Sequence, residues 1–316
     1  MVSMPTHHRS PIEIGELTIP LERREDVLRS THRNNVKDPC PVWDGTRWHM
    51  YCTGFLGSDG YWRILHFTGD RYYDPFSECE PILIPIRGAC VAAPGVIFDT
   101  TDRNFHLFIQ DDFQYCGGHI WHLNSPDGHT FSNPELALAS LPGTNEAGIY
   151  DPHPAKINGL CFLVYTGFPE SRHGDIFLAV SEKGWIGPWH RLGNILTHEQ
   201  LPCHNQHDDP CYEWGLEGSQ LIELPSRLIL FMCVCFLRNA PDGCRQRLYF
   251  ELRSDPLHSG IRLGTLPIRD NTHESRENGH GGLCISPDGC LVLAYQARGV
   301  DGAWKTCLAL TSACNW

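Results

Sequence analysis

Two patterns of apolar and polar positions alternate along this chain. In the first, a turn opens an apolar run, a short polar turn follows, and an aromatic-rich run returns. Pro41-Val42-Trp43-Asp44-Gly45-Thr46-Arg47-Trp48-His49-Met50-Tyr51 shows it in full, and it recurs over 95–109, 154–166, 219–234 and 282–296. In the second, an alternating strand leads to a turn marked by Pro or Gly, over 62–68, 119–124, 175–181, 247–254 and 305–310. Short runs of this kind bounded by turn residues read as strands. The repeats begin at Asp38, Ala93, Asp151, Glu217 and His280, which lie 55, 58, 66 and 63 residues apart. A period near 60 suits a four-stranded blade with generous loops. Beyond Leu21 to Leu28 no helical stripe is visible, and 30 Gly and 23 Pro are spread throughout. These features predict an all-β fold, a five-bladed β-propeller filling residues 1–316 as one domain. Segment 1–33, through its run 12–19, is the candidate to close the last blade. A boundary in the loop-like stretch 197–210 is the alternative.

Composition narrows the partners. The 316 residues are 41% hydrophobic and 20% charged, with a net charge of −12. That balance is ordinary for a globular protein and argues against nucleic acid or an anionic membrane, which both favour a basic face. Residues 1–33 are polar, with His7-His8-Arg9 and Arg23-Arg24, and hold no signal-like apolar core. No run approaches the roughly eighteen apolar residues of a membrane span. The fifteen cysteines are scattered and mostly inside strand-like runs, as at Cys52, Cys161, Cys233 and Cys235. Buried free thiols and a cytoplasmic location are the expectation.

Three acids stand at the starts of apolar runs: Asp38 before Pro39, Asp151 before Pro152, and Glu217 in Leu216-Glu217-Gly218-Ser219. A following proline favours extended backbone and removes one ladder donor, which suits a strand's first residue. Asp-Pro pairs are also common turn starters. In a propeller, however, the first strand of each blade lines the axis, so acids 113 and 66 residues apart in sequence would converge. Glycosidic bond hydrolysis needs one carboxylic acid to protonate the leaving oxygen and a second carboxylate to activate water or attack carbon. A third acid nearby raises the pKa of the donor.

Other residues are candidates for substrate contact. Trp43, Trp121 and Trp214 lie near strand entries and could stack on a sugar ring, though tryptophan in an all-β protein is more often core. His153 sits beside Asp151, and Arg298 could bond hydroxyls or stand as a solvated turn arginine. Cys203-His204-Asn205-Gln206-His207-Asp208-Asp209-Pro210-Cys211 is rich in metal-ligand types. It has no paired Cys-x-x-Cys spacing, so a substrate-contacting loop through His204 or His207 is the better reading. No phosphate loop and no Gly-x-Ser-x-Gly elbow is present.

Several of these motifs resemble glycoside hydrolase family 43 in order. They are Asp38-Pro39 with Trp43-Asp44-Gly45, then Ala92-Ala93-Pro94-Gly95-Val96, then Tyr150-Asp151-Pro152 with Asn158-Gly159 and Gly187-Pro188-Trp189, then Glu217-Gly218. Gly279-His280-Gly281-Gly282 with Pro287-Asp288-Gly289 completes the set. The resemblance implies an inverting hydrolase in which Asp38 is the general base, Glu217 the general acid and Asp151 the group that tunes and orients Glu217. It implies no required cofactor, with His280 facing a calcium ion or water in the channel. The chain departs from the family's Glu-Gly-Pro in having Glu217-Gly218-Ser219, and it lacks the Asn-Asp-Pro-Asn-Gly and Glu-Cys motifs of fructan-cleaving propellers. The expectation is a glycosidase acting on a small arabinofuranoside- or xyloside-like substrate. The alternatives are a biosynthetic propeller enzyme acting on a non-sugar without hydrolysis, and a non-catalytic carbohydrate-binding propeller.

Overall fold

The computed structural model describes residues 15–29, 36–55, 62–86, 91–111, 118–169, 174–201, 215–236, 246–269, 274, 277–300 and 302–316. Their strands, in chain order, open with β1 (Glu22–Arg24) and β2 (Leu28–Arg29). Blade one follows as β3 (Val36–Trp43), β4 (Trp48–Phe55), β5 (Trp62–Gly69) and β6 (Phe76–Glu78). Blade two is β7 (Ala92–Asp99), β8 (Asn104–Gln110), β9 (Ile120–Ser125) and β10 (Glu135–Leu138). Blade three is β11 (Gly148–Ile157), β12 (Leu160–Phe168), β13 (Asp175–Ser181) and β14 (His190–Leu196). Blade four is β15 (Leu216–Glu223), β16 (Ile229–Phe236), β17 (Gln246–Arg253) and β18 (Ile261–Thr265). Blade five is β19 (Glu277–Ile285), β20 (Cys290–Arg298) and β21 (Trp304–Ser312).

Each blade is an antiparallel meander, and only β2 adds in parallel, to the outer edge of blade one. β1 pairs with β21, Glu22 opposite Leu310, and so completes blade five with the N-terminal end of the chain. The closing strand is therefore Glu22–Arg24 rather than the 12–19 run; Glu16 instead bridges Thr265 on blade four. Leu17, Ile19 and Leu21 cover the core between blades four and five, and Arg23 anchors the closure. Its guanidinium reaches Glu274, the Tyr295 hydroxyl and the Pro267 carbonyl.

Five apolar clusters fill the five gaps between neighbouring blades. Side chains on a strand alternate between its two faces, so a second strand serves two gaps at once. On β16, Ile229, Phe231, Cys233 and Cys235 pack toward blade three, while Leu230, Met232 and Val234 pack toward blade five. That is why the sequence there is continuously apolar. One of these clusters runs from Ala155 to Tyr249, so no domain boundary falls near residue 200. The ten described cysteines are all free and six are buried.

Candidate active site

The first strands β3, β7, β11, β15 and β19 line the axis, and each carries a register shift near its start. The breaks fall between Lys37 and Cys40, Ala92 and Gly95, Tyr150 and His153, Glu217 and Gln220, and Gly279 and Gly281. A β-bulge of this kind re-aims a side chain that a regular strand would point at a neighbour. In four blades the bulged residue is left-handed: Asp38 at φ 52°, Ala93 at 49°, Asp151 at 51° and Gly218 at 55°. The fourth slot is thus filled by Gly218, and Glu217 stands one residue ahead of the position held by Asp38 and Asp151.

Four of the five bulges are held from the blade before them. The N–H of Ala93 donates to Thr53 Oγ1 at 2.8 Å, that of Asp151 to Gln110 Oε1 at 2.6 Å, and that of Asp38 to Gln296 Oε1 at 3.1 Å. Thr53, Gln110 and Gln296 occupy one equivalent register position on their second strands, opposite Lys37, Ala92 and Gly279. Thr166 holds the same position in blade three, opposite Tyr150. There the holding atom is a carboxylate: Gly218 N–H donates to Asp151 Oδ2 at 3.2 Å, and Thr166 Oγ1 donates to the same oxygen at 3.4 Å.

The result is a cluster of three acids and one imidazole drawn from blades one, three, four and five. His280 Nε2 lies 2.6 Å from Glu217 Oε1, and its Nδ1 lies 3.5 Å from Asp38 Oδ1. The side chains of Asp38, Glu217 and His280 are 11%, 13% and 10% exposed, enough to meet solvent at one edge only. Gln246 Nε2 donates to Glu217 Oε1 at 3.5 Å, and Gln296 Nε2 donates to Gln246 Oε1 at 3.4 Å. An amide chain therefore links the backbone of Asp38 to the carboxylate of Glu217. Burial pushes the Asp151 carboxyl up to about 6; the charges of Glu217 and Asp38 add to this and His280 opposes it. For His280 burial works against the charged ring, but Glu217, Asp151 and Asp38 outweigh it and raise it to about 10. The centre thus contains a held imidazolium among carboxylates.

Asp151, Glu217 and His280 present ligand atoms within 4.8 Å of one another. They do not suit calcium, which takes six to eight oxygens. Both nitrogens of His280 already face carboxylates.

Of the other candidates, His153 lies deeper in the channel, its Nε2 3.5 Å from Cys40 Sγ, and burial pushes it down to about 4. Trp43 ends β3 and packs on Trp48 at 5.5 Å. It lines a cavity of about 660 Å³ at the far end of the axis, walled by all five first strands. Five strand positions, roughly 16 Å at about 3.3 Å each, set it apart from Asp38 along the axis. Trp121 stands two strands out from the axis on β9, donating to Asp111 Oδ2 at 2.7 Å. Arg298 sits at the rim of blade five, bonded to Gly302 O at 3.0 Å and near Glu277 at 3.3 Å. His204 and Trp214, with the whole of 203–211, lie outside the described residues. Sequence reading missed Gln246, Gln296 and Thr166; two of them could have been found as polar residues at one fixed position of the otherwise apolar second strands.

No protein-family model matches the chain, and no curated protein matches it. Solved structures match its fold over nearly its whole length. The catalytic domain of a Coprinopsis cinerea family 62 α-L-arabinofuranosidase is 14% identical, with 92% of this chain and 96% of that one covered at a TM-score of 0.65. A thermostable family 43 glycoside hydrolase is 16% identical, with 88% and 89% covered at 0.63. The native arabinanase of Bacillus subtilis is 14% identical, with 88% and 94% covered at 0.59. The shared property is the five-bladed propeller fold.

Proposed function

We propose that this protein is a glycoside hydrolase that cleaves a small arabinofuranoside- or xyloside-like substrate with inversion. The observation that carries the reading is the meeting of Asp38, Asp151 and Glu217, from three separate blades, around the His280 ring on the axis. The fold relatives include an arabinofuranosidase and an arabinanase, which supports the same substrate class.

In this reading Asp38 activates the water. One imidazole ring stands between Asp38 and Glu217, which sets their carboxylates at a spacing on the scale of the roughly 6.5–9.5 Å that inversion requires. Glu217 delivers a proton to the leaving oxygen, and the His280 N–H that donates to it is the adjacent source of that proton. Asp151 contributes negative charge beside the donor and, through its bond from Gly218 N–H, fixes where the donor's strand turns. His280 supplies the positive charge that lets three carboxylates share so small a volume.

The test uses aryl α-L-arabinofuranosides and β-xylosides, with the anomer of the released sugar followed by NMR. Asp38→Asn and Glu217→Gln should each lower turnover by about 10²–10⁴-fold, the scale of general acid–base catalysis, with circular dichroism unchanged. Wild-type turnover in either variant removes the assignment. No aglycone release by the parent protein at any pH favours the non-hydrolytic propeller instead.

A further inference from the structure

Blade one contains a second polar system that the proposed chemistry does not use. The Asp44 carboxylate is fixed by the N–H groups of Thr46 and Arg47 and by the Thr46 hydroxyl. Its Oδ2 lies 3.1 Å from His49 Nε2, and His49 Nδ1 lies 3.0 Å from His66 Nε2. A carboxylate only accepts, so His49 carries its proton on Nε2 and offers a bare Nδ1. His66 must then donate from Nε2, which leaves the lone pair of its Nδ1 exposed to the other side. His66 is fully buried, and that Nδ1 has no hydrogen-bond partner.

Beside His66 stand a thiol and a second imidazole. Ligand atoms of His66, Cys79 and His129 all lie within 4.8 Å of one another. Cys79 follows β6, and its N–H donates to the His66 carbonyl at 2.8 Å, which pins it beside the ring. His129 comes from the β9–β10 loop of blade two, which is anchored by the Tyr51 hydroxyl donating to the Gly128 carbonyl at 2.9 Å. Its own N–H is held by Asp127 at 2.8 Å, so only its exposed side chain needs to swing. A tetrahedral zinc with Zn–S near 2.3 Å and Zn–N near 2.0 Å places its ligand atoms about 3.5 Å apart, a closure of at most about 1.3 Å from a spacing within 4.8 Å.

We propose that His66, Cys79 and His129 form a zinc-class divalent metal site that ties blade one to blade two. The ligand set is two nitrogens and one sulfur with a fourth position open to water. The Asp44–His49 pair is the outer relay that fixes the first ligand's tautomer, as carboxylates do for metal-bound histidines. Binding displaces the Cys79 proton to solvent and leaves a thiolate on the metal. Blade two supplies an internal contrast. Asp102, His106 and His122 repeat the relay at 2.9 and 3.0 Å, but His122 packs on the Phe108 ring at 4.8 Å and joins no ligand group among the described residues. The relay alone is therefore a blade motif, and the thiol with the extra imidazole is what makes a site.

The experiment is titration of the chelator-treated protein with Zn²⁺ by calorimetry and with Co²⁺ by absorption spectroscopy. The expected result is one equivalent bound, with a near-ultraviolet thiolate-to-cobalt band and the visible bands of tetrahedral cobalt. Cys79→Ser should abolish the thiolate band, and His129→Ala should weaken binding by about 10–100-fold or more, with circular dichroism unchanged in both. Glu217→Gln should leave binding intact, which separates this site from the axial cluster. Absence of a thiolate–cobalt band in the parent protein, binding unchanged in Cys79→Ser, or binding lost in Glu217→Gln would each overturn the proposal.

Discussion

Gly218→Ala tests the centre without touching any ionisable group. Gly218 sits at φ 55°, and a Cβ built there would lie 2.7 Å from His280 Nδ1, 2.9 Å from Cε1 and 3.1 Å from Cγ. Ordinary contact begins near 3.5 Å, so the rigid ring must recede by roughly 0.8 Å. That recession lengthens the 2.6 Å contact with Glu217. The left-handed backbone costs an alanine about 1–2 kcal/mol, and the weakened charge-assisted hydrogen bond about 1.5–3 kcal/mol more. Gly289→Ala is the matched control, because Gly289 also has a left-handed φ, 78°, with nothing within 4 Å of the added carbon. Urea unfolding should show a loss of about 1–2 kcal/mol for Gly289→Ala and about 2.5–5 kcal/mol for Gly218→Ala. Hydrolytic rate on an aryl arabinofuranoside should fall about 10²-fold in Gly218→Ala alone, the scale expected when a catalytic group is misplaced by about 1 Å. Equal losses of stability in the two variants would refute the contact between the His280 ring and the bulge.

Other measurements probe different links. His280 holds its proton more tightly folded, near 10, than in the unfolded chain, near 6.5, so its contribution to stability is complete below about 6.5 and is lost as pH rises through about 10. The urea midpoint should fall across that range, and fall less steeply in His280→Gln; identical slopes would remove the imidazolium from the centre. Asp151, raised to about 6 from 3.8, has the same sign, its contribution disappearing as pH rises through about 6. At the ring closure, Arg23 is 9% exposed and its partner Glu274 fully buried. Arg23→Ala should therefore cost about 3–5 kcal/mol in urea unfolding, much of it restored in Arg23→Met combined with Glu274→Leu. A loss under about 1 kcal/mol would show that closure rests on apolar cover alone.

The sequence carried the fold well because the propeller's repeat is written locally. A turn, an apolar strand and an aromatic return strand recur every sixty residues or so, and the five starts named from sequence fall at the five bulges. It carried the acids for the same reason, since each opens its own blade. What it could not show was depth along the axis. Trp43 and Asp38 share one strand and one motif, yet the rise of the strand carries the tryptophan to the opposite end. It also could not show pairings made between strands: Asp44, His49 and His66 come together only when β3, β4 and β5 are in register. A trace was present even so, because an acid, a histidine four or five residues on, and another histidine sixteen or seventeen later occur in both blades one and two.

The latches explain how the acids of blades one, three and four and the imidazole of blade five are held together. A bulge whose N–H is held by a buried Thr or Gln of the preceding blade is fixed by a neutral acceptor, as at Ala93, Asp151 and Asp38. At Gly218 the acceptor is the charged Asp151, so the site's own carboxylate does the structural task and is buried by it. The equivalent residue of blade four is Val234, opposite Glu217, which offers no acceptor to the following bulge. The bulge at His280 is also shorter, spanning one residue where the others span two. Without an acceptor behind it, His280 is held through its side chain, by Glu217 and Asp38. The apolar residue that breaks the latch series thus ties the position of the imidazole to the acids, so a change at either carboxylate also moves the ring between them.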